Sequence, residues 1–533
     1  MFHNHSQITP SLMSNILKAA EDAARRIPPA FPLEATVAVN PFLGQTGEDL
    51  ATASARLQRV AGVAATRNWA DYADAIAQGE IIEADLKDAI AASTAPSKPA
   101  DIASLKEAAA RTNSREPNVL PTVADLVAEA TGVDWPSIIE KTFGVWAAGQ
   151  FDRGQALWSP TPGAEALASW RAWATHDLTP EIAGLTGFCA HVTAAPDTAE
   201  RAILRASESL GLDAEAAETA FHRLYMDLGG WSQHARWLLW QAELTGGTDR
   251  TIADLLAIRL IWEEALLAHV PEIAEKWAET VAAHGKPISP TEPDVALAIL
   301  QEASERAHQR RLVAALDGPT GSTDRPALQA AFCIDVRSEV FRRALESIDP
   351  SIETIGFAGF FGLPIAHKAH GSDVIEAHLP VLLNPSVETT SHGDPGKEQE
   401  VRIAARTARA WGRFRQAAVS SFAFVEAAGP FYAGKLVRDA LGLGAKPEKP
   451  SPAPRVVRGL DAKAKADTAA AVLGAMSLTK GHGEIVLLLG HSGQVTNNPH
   501  ESAYHCGACG GYTGEVSARL LAMLLNDPET RTG

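Results

Sequence analysis

The sequence predicts an α/β protein: a largely helical N-terminal region over residues 1–320, then an α/β domain with a mostly parallel sheet over residues 321–533. Three observations predict it. Residues 11–320 are alanine-rich and carry apolar side chains at helical spacing, as in 252–270 and 295–316. Residues 328–334 form a mostly apolar run, and Val340, Phe341, Ala344, Leu345 and Ile348 follow at helical spacing, so a strand leads through a loop into a helix. Residues 484–491, Glu-Ile-Val-Leu-Leu-Leu-Gly-His, repeat the pattern of a strand buried on both faces.

Taken in order, the first residues, Met-Phe-His-Asn-His-Ser-Gln, lack the basic-then-apolar layout of a signal peptide. Early strand-like material is confined to 35–39, and 95–100 reads as an exposed linker. Trp237 and Trp240, three residues apart, are expected in the core, because burial of large aromatics dominates core energetics. The Gly- and Pro-containing stretch 318–326 marks the domain boundary. Beyond it, strands are expected at 354–361 and 374–383, and a long helix from Glu398 to about Phe424. Residues 446–454 form a proline-rich, extended insertion.

Composition narrows the function. With 46% apolar residues the chain can build large cores, and four cysteines are too few for a disulfide framework, which points to a reducing compartment. A formal charge of −17 argues against nucleic acid and against adhesion to anionic lipid. The nearest approach to a spanning segment, 417–434, is broken by Glu426 and Pro430, so the chain reads as soluble and any membrane attachment as held by a protein partner.

The chemistry concentrates at Ala-Phe-Cys333-Ile-Asp335-Val-Arg337-Ser-Glu. In an extended segment the period of two puts Cys333, Asp335 and Arg337 on one face, with Ser338 as the expected N-cap of the next helix. Thiol, carboxylate and guanidinium together suit a metal centre whose carboxylate is held by an ion pair. Further ligands come late: His491 at the end of the second apolar run, and Cys506 in His505-Cys506-Gly-Ala-Cys509-Gly-Gly. Each has a plainer reading. Cys333 alone would be an inert core thiol, His491 a core histidine, and Asp335–Arg337 a structural ion pair. Cys506 and Cys509 fit a dithiol redox pair or two metal thiolates, and the residues do not separate these. Two motifs fail: 429–436 has phosphate-loop spacing but Leu436 where Ser or Thr is needed, and Gly490-His491-Ser492 lacks the second glycine of a nucleophile elbow. Glycines 356, 359 and 362 do not match a dinucleotide fingerprint.

Cys-x-Asp-x-Arg after a strand, then a second strand ending in Gly-His, then Cys-Gly, resembles the zinc site of β-class carbonic anhydrases. The longer insertion between His491 and Cys506, with Asn497-Asn498-Pro499-His500, resembles a narrower family, that of the probable inorganic carbon transporter protein DabA. Residues 39–42, 151–158 and 228–231 match that family too, so the similarity covers nearly the whole chain. The resemblance implies a β-carbonic-anhydrase-like fold for residues 321–533 and a Zn²⁺ site of Cys333, His491 and Cys506. Asp335 would compete for the fourth position and Arg337 would draw it away. The expected activity is hydration of CO₂ to bicarbonate, and the expected partner a proton-conducting, antiporter-like membrane subunit, DabB. The chain would then be peripheral, on the cytoplasmic face of the cell inner membrane. Members of that family continue beyond the point where this chain stops, so a short member or a fragment is expected. A zinc-dependent hydrolase and a non-catalytic, zinc-stapled scaffold are the alternatives; Cys509 at the fourth position would speak for the scaffold.

Overall fold

The computed structural model describes residues 9–31, 39–110, 119–152, 161, 163–317, 324–334, 337–381, 383–391, 393–416, 421–441, 443, 451–457, 460–493 and 504–532. The chain divides into two compact units, one of Met1–Ala30 with Val39–Thr320, the other of Phe31–Ala38 with Gly321–Gly533.

Every regular element among the described residues of the first unit is a helix. Side-chain caps fix many helix starts: Thr9, Asp49, Asn68, Thr122, Asp134, Asp213 and Thr291 each accept a backbone N–H of the first turn. Its centre is the helix Thr251–His269, whose side chains are buried almost all round. That burial includes a charged pair: Arg259 donates to Glu263 one turn on, and Glu263 also accepts the Val123 N–H at 2.6 Å. Trp135, Trp146, Trp170, Trp262 and Trp277 fill the core, while Trp237 and Trp240 are only half-buried.

The second unit carries the strands. β1 (Leu328–Cys333) lies between β2 (Ile352–Phe357) and β7 (Ile485–Leu489), all parallel, with Leu328 level with Ile352 and Ile485. A second, mixed sheet has the order β4 (Ile375–His378), β3 (Ile365–Lys368), β5 (Val387–Thr390) and β6 (Arg455–Val456). β3 is antiparallel to β4, parallel to β5, and β5 antiparallel to β6. Ala331, Phe361, Ile365, Val472, Met476 and Leu521 belong to the core cluster that unites these elements. The single polar side chain inside β1, Gln329, is satisfied: it donates to Glu353 at 2.6 Å and accepts the Gly483 N–H at 2.8 Å.

Four expectations need correction. β1 stops at Cys333; the last ladder bond runs from the Ile334 N–H to Phe357, and Arg337 already has helical dihedrals. Arg337 therefore does not share an extended face with Cys333, and Ser338 is the first residue of its helix, Ser338–Ile348, rather than the cap. β7 is an edge strand, so Ile485, Val486 and Leu487 are exposed despite their fully apolar pattern. The expected strand at 374–383 is the shorter β4. The long helix expected from Glu398 to about Phe424 is seen over Pro395–Gln416, and Ser421–Ala440 is also helical; residues 417–420 lie outside the described residues. Most of the proline-rich insertion lies outside the described residues.

Candidate metal centre

The parallel sheet brings the carboxyl ends of β1 and β7 side by side, the place where open α/β sheets put ligands. Cys333 closes β1, the central strand, and is fully buried. His491 follows β7 by two residues, after Gly490. A side chain at 490 would need a Cβ 2.1 Å from the Gly514 carbonyl oxygen, so only glycine lets the two backbones pass. The imidazole of His491 then lies against the end of the central strand, its Nε2 3.2 Å from the Cys333 carbonyl oxygen.

Cys506 and Cys509 arrive from a tight turn. The Cys509 N–H donates to the Cys506 carbonyl at 2.9 Å across the short 3₁₀ segment Gly507–Cys509. This turn brings both thiols to Cys333, and the three buried sulfurs lie within 4.8 Å of one another. Against them packs the loop that leaves β2. A Cβ on Gly359 would fall 2.2 Å from the Cys333 sulfur and 2.6 Å from that of Cys509. Two residues on, buried Phe361 has φ of 49°, a left-handed conformation that costs a non-glycine residue roughly 1–3 kcal/mol. The loop is held in that shape by its surroundings.

The electrostatics follow from three thiols in one buried place. Hydrogen bonds from Cys333 and Cys509, helped by the Gly359 and Ala508 backbone, bring the Cys506 thiol down to about 2. The same sharing, added to burial, pushes the Cys509 thiol up. A set that stabilises one thiolate with two further sulfur donors beside it suits a soft or borderline cation such as Zn²⁺. The residues fit a metal, and the cradle left by Gly359 supplies room that any side chain would fill.

The other anticipated residues are placed as follows. Arg337 donates to the Tyr504 carbonyl at 2.5 Å, and the Gly493 N–H donates to His505 Nδ1 at 3.3 Å, so the segments carrying His491 and Cys506 are tied together. Asp335 lies outside the described residues. An open pocket of about 540 Å³ adjoins the strand ends, lined by Phe332, Arg337, Phe341, Leu488, Leu489 and His491 among others. Spacing did not reveal Gly359, nor the support behind the thiol turn, where the Tyr512 ring stacks on buried His378 at 4.8 Å and His378 Nε2 sits 3.1 Å from Glu376. The joining of Cys509 to Cys333 was legible only as an open alternative.

Residues 20–533 match the family model described as "Probable inorganic carbon transporter subunit DabA". Curated proteins of that name resemble the chain over nearly all its length. The one from Rhodopseudomonas palustris strain BisB5 is 57% identical over 522 residues, covering 97% of this chain and 64% of the relative. The one from Allorhizobium ampelinum is 56% identical over 539 residues, covering 99% and 66%. The one from Methylobacterium sp. strain 4-46 is 56% identical over 541 residues, again covering 99% and 66%. The chain thus spans less than two thirds of the length of these relatives. No solved structure matches it.

Proposed function

This chain belongs to the family of the probable inorganic carbon transporter subunit DabA, and from that membership we propose that it is the zinc-dependent, carbonic-anhydrase-like part of an energy-coupled complex for inorganic carbon uptake. It converts CO₂ to bicarbonate at the cytoplasmic face of the cell inner membrane, docked on a proton-conducting, antiporter-like membrane subunit, DabB. The observation that supports this reading is the meeting of the Cys333, Cys506 and Cys509 sulfurs at the end of β1; His491 docks beside them on the Cys333 carbonyl, outside that sulfur cluster.

In this reading Cys333, His491 and Cys506 would hold Zn²⁺, with the Asp335 carboxylate as a competing ligand. When bound, the metal supplies a Lewis acid that ionises water near neutral pH. The chain's own residues do the rest. Cys509, whose proton is held tightly, donates to its neighbouring thiolates and limits their charge. Arg337, anchored on the Tyr504 carbonyl, would pair with Asp335 and keep its carboxylate from the metal, and so act as a gate. Phe332, Phe341, Leu488 and Leu489 give the adjoining pocket an apolar wall suited to uncharged CO₂, while Arg337 and Arg519 suit the anionic product.

The test is metal analysis and CO₂ hydration on Cys333→Ala, His491→Ala and Cys506→Ala. About one zinc per chain is expected in the unaltered protein and none in the variants. Full zinc retention by any one of them removes that residue from the ligand set. In cells holding the co-expressed pair, a protonophore should abolish uptake; indifference to it would leave an ordinary carbonic anhydrase.

A second reading rests on the tight grouping of Cys333, Cys506 and Cys509. Three thiolates with one more ligand would make a closed structural site that staples the last loop to the sheet. Loss of zinc from Cys509→Ser, with zinc kept in His491→Ala, would establish that site in place of the catalytic one.

A further inference from the structure

The helices Pro395–Gln416 and Ser421–Ala440 bury none of their described side chains. They touch each other where the Trp411 indole N–H donates to the Tyr432 hydroxyl at 3.1 Å. Apolar side chains stand in water along them: Phe431 is 81% exposed, Leu436 68%, Val425 62% and Val437 59%. Exposed large apolar side chains in such number mark a surface that something covers.

The first helix says what covers it. Arg402, Arg406, Arg409 and Arg413 recur at i, i+4, i+7 and i+11, which puts all four on one face. Arg402 and Arg406 are anchored to Asp373, at 3.5 and 3.1 Å, and Arg402 also to Glu398. Arg409 and Arg413, toward the far end, have no ion-pair partner among the described residues. Residues 395–416 hold six basic side chains against two acidic ones, in a chain whose formal charge is −17. The overall charge does not describe this element.

We infer that the 395–440 helix pair lies on an anionic lipid surface, with Arg409 and Arg413 at the phosphate headgroups and Val425, Phe431 and Leu436 in the boundary between headgroups and acyl chains. A basic helix face beside exposed aromatic and aliphatic side chains is the make-up of an interfacial element. Neither helix is long and apolar enough to cross the membrane, and Pro430 interrupts the second. The inference deepens the membrane placement proposed above and rests on it, but it names lipid, not protein, as the surface under this pair.

The whole chain is sedimented with vesicles containing phosphatidylglycerol and with vesicles of phosphatidylcholine alone. Binding is expected only to the former. Each exposed arginine near such a surface contributes about five-fold in partitioning, so R409A/R413A should lower it about 30-fold. Phe431→Ser with Leu436→Ser should weaken it at every salt concentration, and amide exchange over 395–441 should slow on the vesicles. All four positions are exposed, so the variants keep the fold, which circular dichroism checks. Absence of binding to anionic vesicles, or binding indifferent to both double variants, overturns the inference. Attachment only to membranes that contain an integral protein partner assigns the surface to that protein and overturns it equally. None of these readouts involves zinc or CO₂, so their failure leaves the metal centre untouched.

Discussion

Gly359→Ala should empty the metal centre without touching a ligand. The new Cβ would stand 2.2 Å from the Cys333 sulfur and 2.6 Å from the Cys509 sulfur. Non-bonded atoms of this size settle at about 3.5–4.0 Å, so one side must move by about 1.3 Å or more. Neither can yield cheaply: Cys333 ends the central strand between two neighbours, and the 359 loop already contains the strained Phe361. Overpacking of this kind costs about 1–3 kcal/mol of stability. For the metal the effect is larger, because ligand positions tolerate only about 0.2 Å. A loss of at least 10–100-fold in affinity is expected, the range found when supporting groups around a metal are disturbed. Competition against a chromophoric chelator gives the affinity, and thermal unfolding with and without added zinc gives the coupling to stability. Gly412→Ala is the control, since a Cβ there meets nothing within 4 Å. A folded Gly359→Ala protein that binds zinc as tightly as the parent would refute the convergence of the thiols on that loop.

Three further outcomes are expected. Cys509→Ser should keep about one zinc per chain and most of the activity if Cys509 is a hydrogen-bond donor and not a ligand; zinc content by plasma emission decides it. Arg337→Ala should be zinc-loaded but inactive, with oxygen from Asp335 visible in the metal's X-ray absorption spectrum; normal activity would remove the gate. Burial, with neighbouring His378, lowers the buried His367 to about 4, whereas the unfolded chain takes up a proton near 6.5. Between those values the unfolded state binds more protons, so stability should fall with falling pH by up to about 1.4 kcal/mol per unit from this group, and not above pH 6.5. His367→Gln should flatten the urea midpoint against pH over that window; an unchanged slope would show that His367 does not report on unfolding.

The helical first unit and the β1–loop–helix unit were legible because apolar periodicity is local. Cys333 and His491 were legible for the same reason: each ends or follows an apolar run, and parallel sheets gather such ends. Arg337 was misplaced because alternation was carried past the ladder bond at Ile334, whereas Arg337 itself takes helical dihedrals at the start of the next helix. Gly359 could not be found from spacing, since its importance lies in what two sulfurs from other segments do to its missing Cβ. The exposure of β7 depends on which strand is the edge, a property of pairing order that no single apolar run records. The arginine face of 395–416 was visible as a pattern, yet the net charge of the whole chain concealed it.

The order in which the thiols enter the chain also matters. Cys333 leaves the ribosome about 170 residues ahead of Cys506, which at about 5–20 residues per second is an interval of roughly 9–35 s. Throughout it the thiol lacks the 506–509 turn, and for most of it β7 as well, so it cannot form the centre. A cation offered early would meet single ligands and exchange freely; the 506–509 turn, once placed, would trap it. In the proposed reading, metal occupancy therefore waits on synthesis of the 506–509 turn, and a pulse of oxidant or of a competing soft cation should damage Cys333 in chains that lack that turn while sparing chains that have it.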